Sequence, residues 1–381
     1  MIHHVVAILN GLDKLLWGPW TMLFIGGVAL FFTIKSKFFQ VSGFSLIWEN
    51  TFGKMFSKVE IENKGKMSPF QAAATSLAGT VGMGNMAGVA TALSVGGPGA
   101  IFWMWVLALL GMMLKTVEIT LSVHYREQDN AGHLRGGPMH YIEKGLGWKS
   151  LAYLFSFGML VNSIFSSSLL QAHTVGRAFY SSYAINPYLI TGLMAIVTAV
   201  VVIGGVRRIG RFSERLVPLM SLIYISAGLA VLIINFEQIP SVFGEILKYA
   251  FAPLPAAGGA AGVAITTTIK QGMARGMLSN EAGLGTAPMV HATAETSHPF
   301  QQGMWGAFEV FVDTIIICSI TAFVILSTGA LSSGTTGIEL VLKAFSSAMP
   351  ENLAKAVVSF SILTFSLSTQ IGFWLYVECS G

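Results

Sequence analysis

The sequence has few charged residues. Only 10% of its 381 residues are Asp, Glu, Lys or Arg, and 53% are hydrophobic. A soluble domain usually carries about 25% charged residues. So few charges cannot cover a water-facing surface, and the composition therefore excludes a soluble enzyme and a nucleic-acid-binding protein. The formal net charge of +4 is no sign of a nucleic-acid partner, because in a membrane protein it can reflect where the loops lie.

Cysteine is also scarce. The two cysteines, Cys318 and Cys379, lie in or beside apolar segments, which predicts no disulfide framework. The histidines show no metal-ligand spacing such as HExxH, and no motif pairs a nucleophile with a base. We therefore expect no enzyme activity, no transition metal and no organic cofactor.

Long apolar runs dominate the sequence instead. A membrane-spanning helix needs about 20 mainly apolar residues, and nine segments meet this requirement. They lie near residues 15–34, 70–94, 99–124, 150–175, 188–205, 216–235, 261–290, 303–328 and 354–377. The sequence thus predicts an all-α polytopic membrane protein in a lipid bilayer.

The basic residues predict how the chain crosses the membrane. Fourteen of the 22 lysines and arginines lie in the loops after the first, third and fifth spans. Cytoplasmic loops are enriched in these residues, so we expect the N-terminus outside and the C-terminus of this chain in the cytoplasm. The stretch 41–66 is predicted to be either an amphipathic helix on the inner membrane face or a solvated loop.

The second span is interrupted by glycines. Residues 79–88 include four of them, and each interior glycine costs a helix about 1 kcal/mol relative to alanine. An unwound segment would free N–H groups for a carboxylate and carbonyls for a small cation, with the Asn85 amide oxygen as a further ligand. The alternative is close helix packing through a spacing such as Gly84 to Gly88.

The seventh span is interrupted in a similar way. Residues 275–288 combine glycines with an amide, hydroxyls and a carboxylate. Interrupted spans at corresponding places in two halves indicate a transporter built from inverted repeats. The five-span separation predicts a five-plus-five helix repeat after one extra N-terminal helix. The predicted units are 1–69 (first helix and cytoplasmic amphipathic segment), 70–236 (first repeat) and 237–381 (second repeat).

Ionisable residues inside the spans are candidates for function. Glu281 lies within the second break and either works there or pairs with Arg275. Glu309 and Asp313 are four residues apart on the eighth span and could hold a proton, bind an ion or pair with Arg275 or Lys270.

A further pair of charges lies on the third span. Lys115 and Glu118 are three residues apart, which places them on one helix face. The spacing favours a structural ion pair near the inner end of the span.

Six motifs, spread over almost the whole chain, are specific enough to compare with known families. They are residues 79–90, 96–105, 137–143, 201–211, 274–285 and 313–316. Together they resemble the signature of the sodium:alanine (alanine or glycine:cation) symporter family, within the amino acid–polyamine–organocation superfamily. The resemblance implies the inverted-repeat fold and uptake of a small neutral amino acid, alanine or glycine, across a bacterial inner membrane. Na+ is the implied coupling ion, with H+ as the alternative.

The resemblance also implies a site. The backbone amides of Met83 and Gly84 would receive the substrate carboxylate. The implied substrate-binding residues are Gly82, Met83, Gly84, Gln171, Ser279, Asn280, Gly283 and Phe373. The implied cation-binding residues are Ala78, Thr80, Val81, Asn85, Ser368 and Thr369.

The sequence departs from the family pattern in three places. The family commonly has threonine where Met83 stands and tryptophan where Phe373 stands. Family members also continue with two more spanning helices after the glutamate that matches Glu378, so we expect the second repeat to be incomplete.

The alternatives to a symporter are a passive channel, although repeated filter segments are lacking, and a shortened, transport-inactive homologue that needs a partner. The sequence gives no indication of the oligomeric state.

Overall fold

The computed structural model of the chain describes residues 11, 18–55, 66–129, 132–253 and 264–380. The first eleven helices are α1 (Pro19–Lys35), α2 (Phe39–Ser42), α3 (Phe44–Asn50), α4 (Pro69–Thr80), α5 (Val89–Gly96), α6 (Ala100–His124), α7 (Pro138–Leu146), α8 (Lys149–Val161), α9 (Ser168–Tyr183), α10 (Pro187–Val202) and α11 (Gly205–Ile234). The next seven are α12 (Ile239–Phe251), α13 (Ile265–Asn280), α14 (Thr286–His291), α15 (Pro299–Val310), α16 (Ser319–Ser327), α17 (Gly337–Ala348) and α18 (Glu351–Ser380).

Wider and tighter helical turns join several of these helices. The π-helical segments are π1 (Gly84–Gly88), π2 (Asn162–Ser167) and π3 (Phe311–Cys318). The 3-10 turns are Phe52–Lys54, Phe236–Gln238 and Ala330–Ser333. Isolated π turns are rare in proteins, but where they occur they often lie at functional sites. For this reason π1 and π3 are of particular interest.

Helices occur at all nine segments predicted to span the membrane. Within the described residues, five continuous helical stretches are long and apolar enough to do so: Ala100–His124, Lys149–Tyr183, Gly205–Ile234, Pro299–Ser327 and Glu351–Glu378. The shorter apolar helices are Trp20–Lys35 and Pro187–Val202. The two remaining segments are the interrupted ones, as their glycines predict. The nine-span arrangement and its inverted repeat stay predictions.

Two details differ from the sequence-based expectation. The sixth span is predicted to begin near residue 216, but α11 begins at Gly205, so Pro218 lies inside the helix. The fold is not entirely helical, because two short strands, β1 (Glu127–Gln128) and β2 (Leu134–Arg135), pair antiparallel. Part of the stretch 41–66 is helical, in α2 and α3. Residues 56–65 of that stretch, 15–17 of the first span and 261–263 of the seventh lie outside the described residues.

Local sequence signals explain where the helices begin. Pro69 is the first residue of α4, where its missing N–H is not needed. Ser68 precedes it and forms a capping box with Gln71, since each side chain bonds the other residue's backbone N–H. The same placement of proline begins α7, α10 and α15.

Small residues let the helices near the breaks approach closely. Helix α13 packs along α6, and at Gly272 a side chain would collide with α6. A Cβ atom there would lie 2.2 Å from the Ala100 carbonyl oxygen and 2.8 Å from Cβ of Trp103. The backbones therefore touch at this point, and the position of α13 depends on the absence of a side chain.

We expect Gly272→Ala to destabilise the protein by about 1–3 kcal/mol, because an extra methyl group in a filled contact forces the backbones apart. Gly192→Ala is the matched control, since Gly192 is a helical glycine with nothing within 4 Å of the added Cβ. The melting temperature in detergent measures both variants. Equal melting temperatures for the two would contradict the close contact.

Candidate functional site

The first break lies between α4 and π1. Helix α4 ends at Thr80, and Val81 is extended, with φ −75° and ψ 91°. The chain then turns through Gly82, whose N–H donates to the Asn85 side-chain oxygen at 2.9 Å. An amide side chain thus satisfies a backbone group that the interruption would otherwise leave without a partner.

The second break lies between α13 and α14. Its backbone is left-handed at Glu281 (φ 55°), Gly283 (φ 90°) and Gly285 (φ 77°). Glycine adopts this conformation without steric cost, whereas Glu281 stores strain there. Glu281 keeps this strained conformation because its surroundings hold it. Strained non-glycine residues of this kind cluster at functional sites.

Side chains of α6 support the second break. Lys115 Nζ donates to the Asn280 carbonyl at 3.0 Å, at the carboxyl end of α13. The Glu118 carboxylate accepts from the N–H of Gly283 at 3.1 Å. The Asn280 side-chain oxygen accepts from the N–H of Ala282 at 3.0 Å. In an exposed loop, water would provide the hydrogen-bond partners of these backbone groups. Here the partners come from α6 and from the break itself.

The two breaks meet beside a buried carboxylate. A Cβ atom on Gly84 would lie 3.3 Å from Cα of Ser279, so the two segments are in backbone contact. Asp313, in π3, is 1% exposed. Its oxygens accept from Asn85 Nδ2 at 2.7 Å and from the hydroxyls of Ser279 and Thr314, each at 2.8 Å. Asp313 therefore joins both breaks through neutral donors.

A core of aromatic residues supports the first break from the other side. Tyr224 is fully buried, and its ring centroid lies 5.5 Å from that of Phe365. The Tyr224 hydroxyl lies 2.7 Å from the hydroxyl oxygen of Thr321, which donates to the Asn85 carbonyl at 2.8 Å. The first break is thus connected by hydrogen bonds to the packed interior.

A cavity of about 650 Å³ lies against both breaks. Five of the expected substrate-binding residues line it: Gly82, Met83, Gly84, Gln171 and Phe373. Three others, Ser279, Asn280 and Gly283, belong to the second break but not to the lining. The structure therefore brings residues separated by almost 300 positions in the sequence to one cavity.

One hydrogen bond in the cavity involves an amide expected to receive the substrate. The N–H of Met83 donates to the Gln171 side-chain oxygen at 3.2 Å. Sulfur takes the place of the hydroxyl common in the family and lies 3.2 Å from the Thr174 hydroxyl. The Met83 N–H thus faces an oxygen acceptor on the cavity wall.

The expected cation-binding residues form two groups. Thr369, on α18, lines the cavity and its hydroxyl lies 3.4 Å from the Val81 carbonyl oxygen, and Ser368 is buried beside it. Ala78 is also buried, one turn before Val81. Thr80 and Asn85 form the other group. The Asn85 amide is engaged on both sides, by Gly82 and by Asp313, as described above.

The buried charges pair differently from the sequence-based expectation. Lys115 forms its ion pair with Glu309, at 3.1 Å, and not with Glu118. Glu309 and Asp313 accordingly have other partners than Arg275 or Lys270. The Glu281 carboxylate accepts from the Thr286 hydroxyl at 2.6 Å, across the second break. Spacing along one helix did not identify the partner of Lys115, because that partner belongs to another helix.

The cavity lining includes polar residues that were not among the predicted substrate- or cation-binding residues, such as Asn162 in π2, Lys270 and Gln271 on α13, and Thr286 on α14. Arg275 also lines the cavity, and its buried Nε has no hydrogen-bond partner in the structure. Residues 271, 275 and 278 are spaced by four and three, which puts them on one helix face. That spacing is a signal in the sequence from which Gln271 could have been found.

The chain is similar in sequence to known transporters. Residues 2–380 match the sequence model of the sodium:alanine symporter family. The chain is 37% identical to the sodium/alanine symporter AgcS of Methanococcus maripaludis, over 98% of this chain and 82% of that protein. It is also 37% identical to the probable sodium/glutamine symporter GlnT of Bacillus subtilis, over 99% of this chain and 77% of that protein.

The fold is similar to that of a solved transporter. The manganese transporter of Eremococcus coleocola gives a TM-score of 0.56 over 87% of this chain and 69% of that chain, at 10% identity. At this identity the likeness concerns the helical fold alone.

We expect Lys115→Met to destabilise the protein by about 3–5 kcal/mol, because it leaves the Glu309 carboxylate buried without its ion-pair partner. The double variant Lys115→Met, Glu309→Gln should recover most of this loss, since it removes both charges. Thermal unfolding of the two single variants and the double variant measures the coupling. Additive losses would show that the two side chains do not interact.

Proposed function

The chain belongs to the sodium:alanine symporter family and is a multi-pass membrane transporter, not an enzyme, and we propose that it imports alanine or glycine together with Na+. The observation that carries this proposal is the cavity between the two breaks. Its wall includes backbone from the first break, side chains from both halves of the chain and a hydroxyl suited to a cation.

The substrate carboxylate binds at the first break in this proposal. The amides of Met83 and Gly84 lie where the chain begins π1 and continues into α5, and N–H groups at the start of a helix attract anions. The carboxylate would replace the Gln171 oxygen as the acceptor of the Met83 N–H. The Gln171 amide would then be free to donate its own N–H to the substrate.

Two groups of oxygen atoms suit Na+, which is a hard cation. The first combines the carbonyls of Ala78 and Val81 with the hydroxyls of Ser368 and Thr369. It thereby joins the first break to α18. The 3.4 Å between the Thr369 hydroxyl and the Val81 carbonyl supports this assignment.

The second group consists of the Thr80 carbonyl and the side chain of Asn85. Asp313 adds a carboxylate that contacts Asn85 at 2.7 Å. A buried negative charge surrounded by neutral donors favours a cation nearby, since an unpaired buried charge is costly. When the Asn85 side-chain oxygen turns to the ion, its hydrogen bond from the Gly82 N–H would be lost.

Alternating access follows from the two cation sites. Each bound ion joins a broken helix to a continuous one, so ions favour one arrangement of these helices over another. Rocking of the interrupted helices against the rest then opens the cavity to either side. The inverted repeat, the nine spans and an inner-membrane orientation with the N-terminus outside are part of this proposal.

Glutamine is a second candidate substrate. The cavity volume of about 650 Å³ lies within the range of 300–1,000 Å³ that holds drug-sized ligands. Such a cavity holds a longer side chain than that of alanine, and one relative bears the name of a probable sodium/glutamine symporter.

We expect purified protein in liposomes to accumulate labelled alanine at least about tenfold faster with an inward Na+ gradient than with an inward choline gradient. Unlabelled glycine should compete with alanine, and glutamine tested at the same concentration reports the second candidate. Equal uptake with both gradients would contradict Na+ coupling. Flux that neither saturates nor shows counterflow would indicate a channel instead.

Thr369→Ala should raise the Na+ concentration for half-maximal uptake by about tenfold, which corresponds to about 1.4 kcal/mol. Thr364→Ala is the matched control, because its hydroxyl also bonds a carbonyl one turn earlier on α18 but belongs to neither cation site. Measurement of initial uptake rates against Na+ concentration compares them. An unchanged Na+ dependence in Thr369→Ala would remove Thr369 from the site.

A further inference from the structure

His291 lies at the centre of a buried hydrogen-bond network that the proposed substrate and Na+ sites do not use. It is the last residue of α14, the short helix after the second break, and it is fully buried. Its Nε2 lies 2.6 Å from one oxygen of Glu309, and its Nδ1 lies 2.7 Å from Nε2 of Gln302. The other Glu309 oxygen contacts Lys115 at 3.1 Å and the hydroxyl of Ser76 at 2.7 Å.

The orientation of Gln302 determines the protonation state of the ring. Its Nε2 can only donate, and it donates both to His291 Nδ1 and to the Pro69 carbonyl at 3.3 Å. Nδ1 is therefore an acceptor, and the single ring proton is on Nε2, directed at Glu309. In this arrangement the Gln302 side-chain oxygen is buried and has no hydrogen-bond partner in the structure.

We propose that His291 is a proton-binding site of this transporter. A proton from water adds to Nδ1 and turns the neutral ring into an imidazolium. A half-turn of the Gln302 amide then presents its oxygen to the new Nδ1–H. Before the rotation this oxygen has no hydrogen-bond partner. The same rotation withdraws Gln302 Nε2 from the Pro69 carbonyl, so one contact between α15 and α4 is lost when the proton binds.

A cavity gives the proton a route to Gln302. A space of about 460 Å³ is lined by Gln302, Pro69 and the exposed Ser297. Water in this space reaches the amide that must rotate. His291 and Gln302 are thus buried among the helices, but Gln302 adjoins a cavity that extends to the surface.

Ionisable groups reach the network from several neighbouring elements. The ionisable groups that face the network from the neighbouring elements are Lys115 and Glu118 of α6, Arg126 beyond α6, Glu281 of the second break, Glu295 with Lys66 beyond α14, Glu309 of α15 and Asp313 of π3. Helix α4 contributes Ser76 and no ionisable group. An imidazolium at His291 would lie 2.6 Å from the Glu309 carboxylate, which also pairs with Lys115.

Proton binding at His291 would affect transport through α4, the helix that leads to the first break. Ser76 and Pro69 attach that helix to Glu309 and Gln302. A change in this attachment alters the freedom of α4 to move relative to α15. The link to amino acid uptake rests on the proposed function, whereas proton binding itself does not.

The first test observes the ring directly. In protein with ¹⁵N-labelled histidine, the His291 signal is the one missing from His291→Gln or, if that variant does not fold, the one shifted in Gln302→Met. We expect the neutral Nε2–H form at about pH 9 and the imidazolium at about pH 5. A neutral ring at both pH values would overturn the proposal.

Gln302→Met tests the acceptor. Methionine cannot accept the Nδ1–H as an amide oxygen does, so imidazolium formation should need an about tenfold higher proton concentration than in the wild type. An unchanged titration in this variant would overturn the role of Gln302.

The second test measures alanine uptake against pH. Wild-type uptake should change with pH, and the profile of His291→Gln should be flat, while the control His173→Gln, at an exposed histidine on α9, should keep the wild-type profile. A wild-type profile in His291→Gln would overturn the coupling to transport. Absence of alanine uptake in the wild type would reject the proposed substrate, and the ¹⁵N titration would still decide whether His291 binds a proton.

Discussion

The structure depends on one constraint, which is that backbone N–H and C=O groups inside a bilayer need partners within the protein. Two helices are interrupted at membrane depth, and each interruption frees such groups. The chain satisfies them with buried side chains: Asn85 bonds the Gly82 amide, Lys115 bonds the Asn280 carbonyl, and Glu118 bonds the Gly283 amide. Side chains thus take the place of the helical hydrogen bonds that these three backbone groups lack.

Several acidic side chains lie in the interior beside these groups. Glu281, Glu309 and Asp313 are buried, Glu118 is half-buried, and Lys115 pairs with Glu309. Buried ions persist when they are paired or when a cation joins them. Asn85 combines both roles, since it bonds the Gly82 backbone and contacts the Asp313 carboxylate beside the second proposed cation site.

Much of the fold could be predicted from the sequence, and the reasons are local. Glycine spacing located both breaks because glycine weakens a helix wherever it stands. Family resemblance then pointed to Gly82, Gln171 and Phe373, which the structure brings to one cavity. The partner of Lys115 could not be predicted in this way, because Glu309 is distant in sequence and helix spacing favours Glu118. His291 was missed for the same reason, since its significance comes from Gln302 and Glu309 and not from any motif.

The contact between Gly84 and Ser279 limits how this binding cavity could have diversified. Because the two backbones touch, a larger residue at position 84 would need a compensating shift in a segment almost 200 residues later. Single substitutions at position 84 are therefore disfavoured by selection. Positions 83, 171 and 373 line the same cavity without being held between two backbones. New substrate preferences among related transporters should therefore have arisen mainly through those three positions, while the junction of the breaks stayed small.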